Sequence, residues 1–222
     1  MANILVIAAH ADDEALGCGG TLAKHASNGD RIRLLFMTDG EGARGNNVAD
    51  APRRKSACEA AAEIMGAEPP VFFDFADNAM DSVPRIEVVR AIEAELKQFT
   101  PEIVYTHHAH DLNIDHSITH EAAMTALRPQ PHAPRPTILA FEVMSSTEWR
   151  APSVASAFIP NWHVDISAFL ETKKAALSAY RDEMRPWPHS RSIAALEHLA
   201  RWRGSCMGME AAEAFSLIRK IG

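Results

Sequence analysis

Basic residues are in short supply. The chain has 22 lysines and arginines against 29 aspartates and glutamates, a formal net charge of -7. A nucleic-acid partner held through a broad basic surface is therefore not expected. Long apolar runs are missing too: none approaches the roughly 18 residues of a membrane-spanning helix. The N-terminus enters a strand-like stretch at once, without a signal peptide's basic segment and extended apolar core, so a cytoplasmic protein is expected. Cysteine is scarce and odd in number. Cys18, Cys58 and Cys206 are scattered, which favours reduced thiols over a disulfide framework or a zinc knuckle. Internal repeats and low-complexity tracts are absent as well.

What is present is a globular chain. Hydrophobic residues make up 47% of its 222 positions, enough for the core of one sizeable domain. Short β-branched or aromatic runs lie at 3–8 (NILVIA), 31–38 (RIRLLFMT), 71–75 (VFFDF), 102–106 (EIVYT) and 137–143 (TILAFEV). Helical stretches at about 14–28, 53–66, 84–99 and 115–127 separate them. Near-continuous apolar strands alternating with helices predict an α/β, Rossmann-like, mostly parallel sheet with helices on both faces. Asn28-Gly29 and Gly66 close two of the helices, and Pro84 opens a third, as helix ends require. The expected strand order is 3-2-1-4-5. It makes strands 1 and 4 neighbours and puts a ligand crevice at their carboxyl ends.

After Val143 the regularity changes. A loop-rich stretch leads to VDIS at 164–167. A helix over about 167–184, the segment RPWPHSRS and two further helical stretches are expected to follow. The expectation is one domain over 1–222, with a core at 1–145 and a C-terminal helical elaboration at 164–222.

Two chemically rich segments follow strands 1 and 4. The first is AHADDE at 9–14, and the second is THHAHDLNIDHSITH at 106–120. Three acids and a histidine at the end of a buried strand are costly unless compensated. His10 and Asp13, three apart across a strand-to-helix turn, can aim at one point. A third ligand from the strand 4 loop would complete a metal site with open positions, as catalytic zinc sites have. Each piece alone has a plainer explanation. Asp12 or Asp13 can cap a helix, the histidine-rich loop can be a solvated surface, and His120 can simply lie beneath the site. Gly17, Gly19 and Gly20 in GCGG suggest a dinucleotide loop, but such a fingerprint begins immediately after the strand. Here carboxylates that would repel a pyrophosphate come first, and the glycines suit close packing of helix on sheet.

AHADDE resembles the A-H-P-D-D-E signature of the PIG-L/LmbE family of metal-dependent N-deacetylases. NIDH at 113–116 matches the family's H-x-D-H in part, and MTDGEGARG at 37–45 and RRKSACEAAAEIMG at 53–66 are similar to two further family segments. The likeness covers most of residues 3–128, and RPWPHSRS with the stretch after it resembles a bacterial sugar- and polysaccharide-pathway subgroup. The resemblance implies that His10, Asp13 and His116 bind a metal: Zn²⁺, with Fe²⁺ or another divalent ion as the alternative. It implies that Asp12 is the general base and that Asp115 orients a histidine from behind. Ala11 stands for the usual proline, which removes no functional group. Asn113 stands for a histidine, and asparagine donates a hydrogen bond but no titrating proton.

The implied activity is hydrolysis of the N-acetyl group of an amino sugar or glycoconjugate, with self-association left open. The leaving amine needs a proton. Asp12 can return one, and His189 in PWPHSRS is a second candidate donor. Arg44, Arg53 and Arg54 lie near the strand 2 loop, and Arg185 and Arg191 flank His189. An arginine fork suits sugar hydroxyls or a phosphate. Arg44, Arg54 and Arg191 are the candidate substrate contacts, and Arg54 best fits the family's sugar-contacting position. Trp149, Trp162 and Trp187 could offer a sugar-stacking face, but aromatic residues in such segments more often serve packing. Two alternatives stay open: an amidase of the same mechanism acting on a glycopeptide or thiol-sugar conjugate, and a metal-binding relative without catalysis.

Overall fold

The computed structural model describes residues 1–38 and 51–222. Five strands, β1 (Asn3–Ala8), β2 (Arg31–Thr38), β3 (Val71–Phe75), β4 (Ile103–His107) and β5 (Thr137–Phe141), alternate with α1 (Asp13–Ser27), α2 (Ala51–Met65), α3 (Arg85–Leu96) and α4 (Ile114–Ala126). All five are parallel, in the expected order 3-2-1-4-5. The reason is visible in β1, where burial runs unbroken from Ile4 to Ala8. Ile4 and Val6 pack on one side with α1 and α2, while Leu5 and Ile7 pack on the other with α3 and α4. A strand buried on both faces needs apolar residues at every position.

The C-terminal part differs from expectation. Strand β6 (Trp162–Asp165) is followed by α5 (Leu170–Ala179), α6 (Ile193–Ser205) and β7 (Ala212–Arg219). The helix expected to reach 184 stops at Ala179, and the last expected helix is β7. This strand pairs antiparallel with β5 and with β6, extending the sheet to 3-2-1-4-5-7-6. AEAFSLIR reads as helical from its alanine and glutamate, but Ala212 to Phe215 are buried beside β5 and β6. Tertiary pairing overrides a weak local preference.

Helix α1 carries a break. Cys18 has φ -143° and ψ 16°, outside helical values. The interruption exposes backbone groups that must find other partners. The amides of Gly20 and Thr21 donate to the Glu213 carboxylate at 3.0 and 2.7 Å, and Lys173 Nζ donates to the Leu16 carbonyl at 2.8 Å. Lys173 and Glu213 are themselves a buried ion pair. Before the break, Gly17 lies so close to β5 that a Cβ there would collide with the Phe141 ring, the close approach expected of these glycines. Among the described residues no helix is long and apolar enough to cross a membrane.

Candidate metal centre and active-site cleft

The loop between β1 and α1 is held in an uncommon backbone shape. Asp12, at the start of α1, has φ 119° and makes no side-chain cap. A non-glycine residue in that region persists only where its surroundings fix it. Glu14 does this. Its Oε2 accepts from the Asp12 amide at 3.0 Å, and its Oε1 accepts from the Tyr180 hydroxyl at 2.6 Å. Burial pushes the Glu14 carboxyl up to about 8, against the pull of those two hydrogen bonds. Glu14 is thus a wholly buried strut.

Two imidazoles and one carboxylate converge beside this loop. His10 Nδ1 lies 3.2 Å from His116 Nε2. Asp13 Oδ2 is 3.3 Å from His10 Nδ1, and Asp13 Oδ1 is 3.4 Å from His116 Nε2. Asp13 Oδ1 is buried and has no hydrogen-bond partner among the described residues, a costly state for a carboxylate oxygen. A cation among these atoms would satisfy that oxygen and both facing nitrogens, so the donor set fits a divalent metal of the zinc type. The three residues form a group whose ligand atoms lie within 4.8 Å of one another.

Each imidazole is backed by a carboxylate on its other nitrogen. His10 Nε2 is 3.0 Å from Asp115 Oδ2 and 3.2 Å from Asp77 Oδ1. These three residues form a second group of the same kind. Asp115 is fixed by the amides of Asn78 and Met80, at 2.6 and 3.0 Å. His116 Nδ1 is 3.2 Å from Asp111 Oδ1. Asp111 accepts from Thr147 Oγ1 at 2.6 Å, from the Asn113 amide at 2.9 Å and from Ser146 Oγ. On His10 such backing can hold a proton on Nε2 and leave Nδ1 to face a cation, while His116 Nδ1 lies beside Asp111 without a hydrogen bond among the described residues. Behind them His107 stacks on His116 at 4.0 Å between ring centroids and accepts from the Ala9 amide at 2.8 Å.

The electrostatics demand positive charge at this corner. Burial disfavours the charged form of His10, yet Asp115, Asp13 and Asp77 outweigh it and raise the imidazole well above its ordinary value. His116 is also opposed by burial, but Asp13 and Asp111 bring it up to about 9. Burial raises Asp13, and His116, His107 and His10 overcome it, holding the carboxyl well below the usual range.

Asp12 stands apart from this set. Arg191 Nη1 donates to its Oδ2 at 2.8 Å, and no described residue donates to its Oδ1. Burial raises its carboxyl to about 6, with Arg191 pulling down and Asp13 and Glu183 pushing up. A cleft of about 320 Å³ opens here, at the carboxyl ends of β1 and β4, with Asp12, Asn113, Trp149 and His189 in its lining. Arg54 lines it too, with Nη2 3.3 Å from Glu183 and Nη1 3.9 Å from Asp77. His189 Nδ1 accepts from the Arg191 amide at 3.0 Å, so the neutral ring presents an Nε2–H donor. Asn113 caps α4: its Oδ1 accepts from the Asp115 amide at 2.9 Å and its Nδ2 donates to Asn78 Oδ1 at 3.1 Å.

Of the residues singled out in the sequence, His10, Asp12, Asp13, Asp115, His116, Asn113, His189, Arg54 and Arg191 come together. Arg191, expected on the substrate, is engaged by Asp12 and by Ser145 Oγ at 2.9 Å. Arg44 lies outside the described residues. Trp162 and Trp187 are not in the cleft; Trp162 faces Lys220, and Trp187 contacts His198. His120 lies beneath the site, its Nδ1 donating to the His107 carbonyl at 2.7 Å. Asp77, Asn78 and Glu183 border the site without having been singled out in the sequence, and Asp111 lies in the segment at 106–120 that was. Asp77 had a signal, an acid just beyond the carboxyl end of β3, on the edge where ligands bind.

Fold and site together define an α/β protein with a hydrolase-type, metal-competent cleft at the switch point of its sheet. The chain belongs to the GlcNAc-PI de-N-acetylase (PIG-L) family, whose profile matches residues 5–127. It is 30% identical over 185 residues to the uncharacterized deacetylase YaiS of Escherichia coli K12, covering 81% of this chain and 90% of that one. It is 25% identical to the 1D-myo-inositol 2-acetamido-2-deoxy-alpha-D-glucopyranoside deacetylase of Rhodococcus erythropolis, over 86% of this chain and 84% of that one. The fold also matches the crystal structure of 4-carboxy-2-hydroxymuconate hydratase from Pseudomonas putida KT2440, with a TM-score of 0.80 at 22% identity over 100% and 98% of the two chains.

Proposed function

We propose that this protein is a metal-dependent hydrolase that removes the N-acetyl group from an N-acetylated amino sugar or its conjugate. The observation that carries the reading is the division of labour between two adjacent carboxylates. Asp13 points an unpartnered oxygen at the two histidines, while Asp12 is tied through Oδ2 to Arg191 and keeps Oδ1 free at the cleft. The family and the Rhodococcus deacetylase support the substrate class. Zn²⁺ is the proposed ion, and Fe²⁺ suits the same donor set.

A divalent cation held by His10, Asp13 and His116 would lower the pKa of water and polarise the acyl carbonyl. Asp12 Oδ1 takes the proton of the attacking water. His189 donates Nε2–H to the carbonyl oxygen as that oxygen gains charge. Its Nδ1 faces the Arg191 amide, so the ring serves as a neutral donor and Asp12 returns the proton to the leaving amine. The new carbon–oxygen bond and the broken carbon–nitrogen bond give acetate and a free amine. Arg54 anchors the sugar. Asn113, with both ends of its amide occupied inside the protein, orders the loop instead of donating to substrate.

The test is acetate release by metal-loaded protein from a panel of N-acetylated sugars, nucleotide sugars, glycopeptides and thiol-sugar conjugates. Release confined to the last two replaces the substrate class, and no release from any member at full metal occupancy overturns the reading.

A further inference from the structure

Trp162, which stays out of the cleft, lines a second cavity of about 250 Å³. This cavity lies at the amino ends of β4 and β5, the edge of the sheet opposite the metal corner. Its floor is a strip of one sheet face: Ile103 pairs with Thr137 and Tyr105 with Leu139, and such cross-strand partners point to the same side. One wall is the last part of α1, where the spacing of Thr21, Lys24 and His25 puts them on one face. The other is Trp162 and Val164 of the edge strand β6. No acid stands among the described residues that line it. His25 is engaged already, with Nδ1 2.8 Å from Asp30 Oδ2 and Nε2 3.0 Å from the Tyr105 hydroxyl. The two lysines of the lining are not. Lys24 Nζ donates to the Asp165 backbone carbonyl at 3.0 Å, which leaves two of its three donors. Lys220 Nζ stands 5.6 Å from the centroid of the Trp162 ring. Among the described residues neither lysine is paired with a carboxylate. Asp165 feels the charge of Lys24, yet its Oδ1 is turned to the Ser167 hydroxyl and amide, at 2.6 and 2.9 Å. Glu213, on the strand beside Val164, is bound to Lys173. Thr21 adds an independent sign: it is 1% exposed, and its Oγ1 has no hydrogen-bond partner among the described residues. A buried hydroxyl in that state is costly.

We propose that this cavity is a second binding site, for a small amphipathic carboxylate. The apolar body lies on the floor of Ile103 and Leu139 and against Trp162, Lys24 and Lys220 meet the charge, and the Thr21 hydroxyl gains a partner. The size fits a small molecule, since pockets for drug-sized ligands run to about 300–1,000 Å³. A single carboxylate suits the mixed lining. The lysines attract it without first being freed from a protein acid, and a more highly charged head would be costlier to bring beside so apolar a floor. The site is separate from the metal corner and does not depend on the deacetylase reading.

The experiment measures, by calorimetry, the binding of hexanoate, hexanol and hexylammonium to metal-loaded protein. Hexanoate is expected to bind about tenfold or more tightly than hexanol, from one charge-assisted contact, and hexylammonium no more tightly than hexanol. The preference should shrink as salt is raised and fall to about unity in the double variant Lys24→Met/Lys220→Met, with hexanol binding unchanged. Fluorescence places the ligand. The chain has four tryptophans, and the change in emission on adding hexanoate should vanish in Trp162→Phe. Stripping the metal should leave hexanoate affinity as it was. Equal binding of hexanoate and hexanol, a preference kept in the double variant, or hexanoate binding that disappears with the metal overturns the site. So does the lack of saturable hexanoate binding below about 10 mM. Should the double variant not fold, Lys220→Met alone, at an exposed position just past β7, reads the same ratio.

Discussion

Replacing Arg191 by methionine removes the cation that, among the described residues, touches the proposed base, and it leaves the backbone bond to His189 in place. The contact is sheltered: the side chains of Arg191 and Asp12 are 18% and 5% exposed. A charge-assisted hydrogen bond in such a setting favours the ionised carboxylate by about 1.5–3 kcal/mol, equivalent to about 1–2 pKa units. With Arg191 present, burial has already raised Asp12 to about 6. Without it, burial and the charges of Asp13 and Glu183 act unopposed by the arginine and push the carboxyl higher. The sign follows from the role. A general base works only when ionised, so activity is present above its pKa and is lost as pH falls through it. The acid limb of kcat/KM should therefore move to higher pH by about 1–2 units relative to wild type at equal metal loading, with roughly tenfold less activity near the wild-type midpoint. The assay is acetate release across pH 4.5–9 (about two units either side of neutrality), with metal content measured in parallel. An unshifted acid limb together with a raised KM and unchanged kcat would sink this reasoning and return Arg191 to the substrate.

Asp12→Asn should keep the metal and lose about 10²–10⁴ in kcat, whereas Asp13→Ala should lose metal by elemental analysis; equal metal loss in both would show the two carboxylates to be wrongly divided. His189→Ala should lower kcat by about 10² without moving the acid limb, and near-normal kinetics at every pH would remove it from the mechanism. Lys173→Met strands Glu213 as a buried charge, so unfolding in urea should show a loss of about 3–5 kcal/mol, and a change below about 1 kcal/mol would mean that the ion pair does not hold the α1 break.

Sequence and structure agree most closely where each residue's fate is decided by its neighbours along the chain. β1 and β2 were legible to the residue because β1, covered on both faces, is apolar from Ile4 to Ala8 and β2 carries its arginines only at its less buried start, with Asn28-Gly29 closing the helix between them. That His10, Asp13 and His116 gather was legible because two compact motifs, AHADDE and NIDH, follow the neighbouring strands β1 and β4. What was lost depends on contacts between distant segments. Glu14 looks like a helix-start acid until Tyr180, 166 positions away, is found against it. Arg191 looks like a free substrate fork until Asp12, 179 positions away, takes its Nη1. Asp111 differs from the other polar residues of its loop only through Ser146 and Thr147. The strand state of β7 likewise comes from β5 and β6 and not from its own composition.

The break in α1 has a consequence for how the protein is made. Every proposed metal ligand lies within the first 116 positions, yet the helix that carries Asp13 is braced at Gly20 and Thr21 by Glu213, close to the C-terminus. A chain emerging from the ribosome exposes His10, Asp13 and His116 long before β7 exists to hold them in register. A fragment that stops short of β7 would carry all three proposed ligands and lack the carboxylate that braces the helix bearing Asp13.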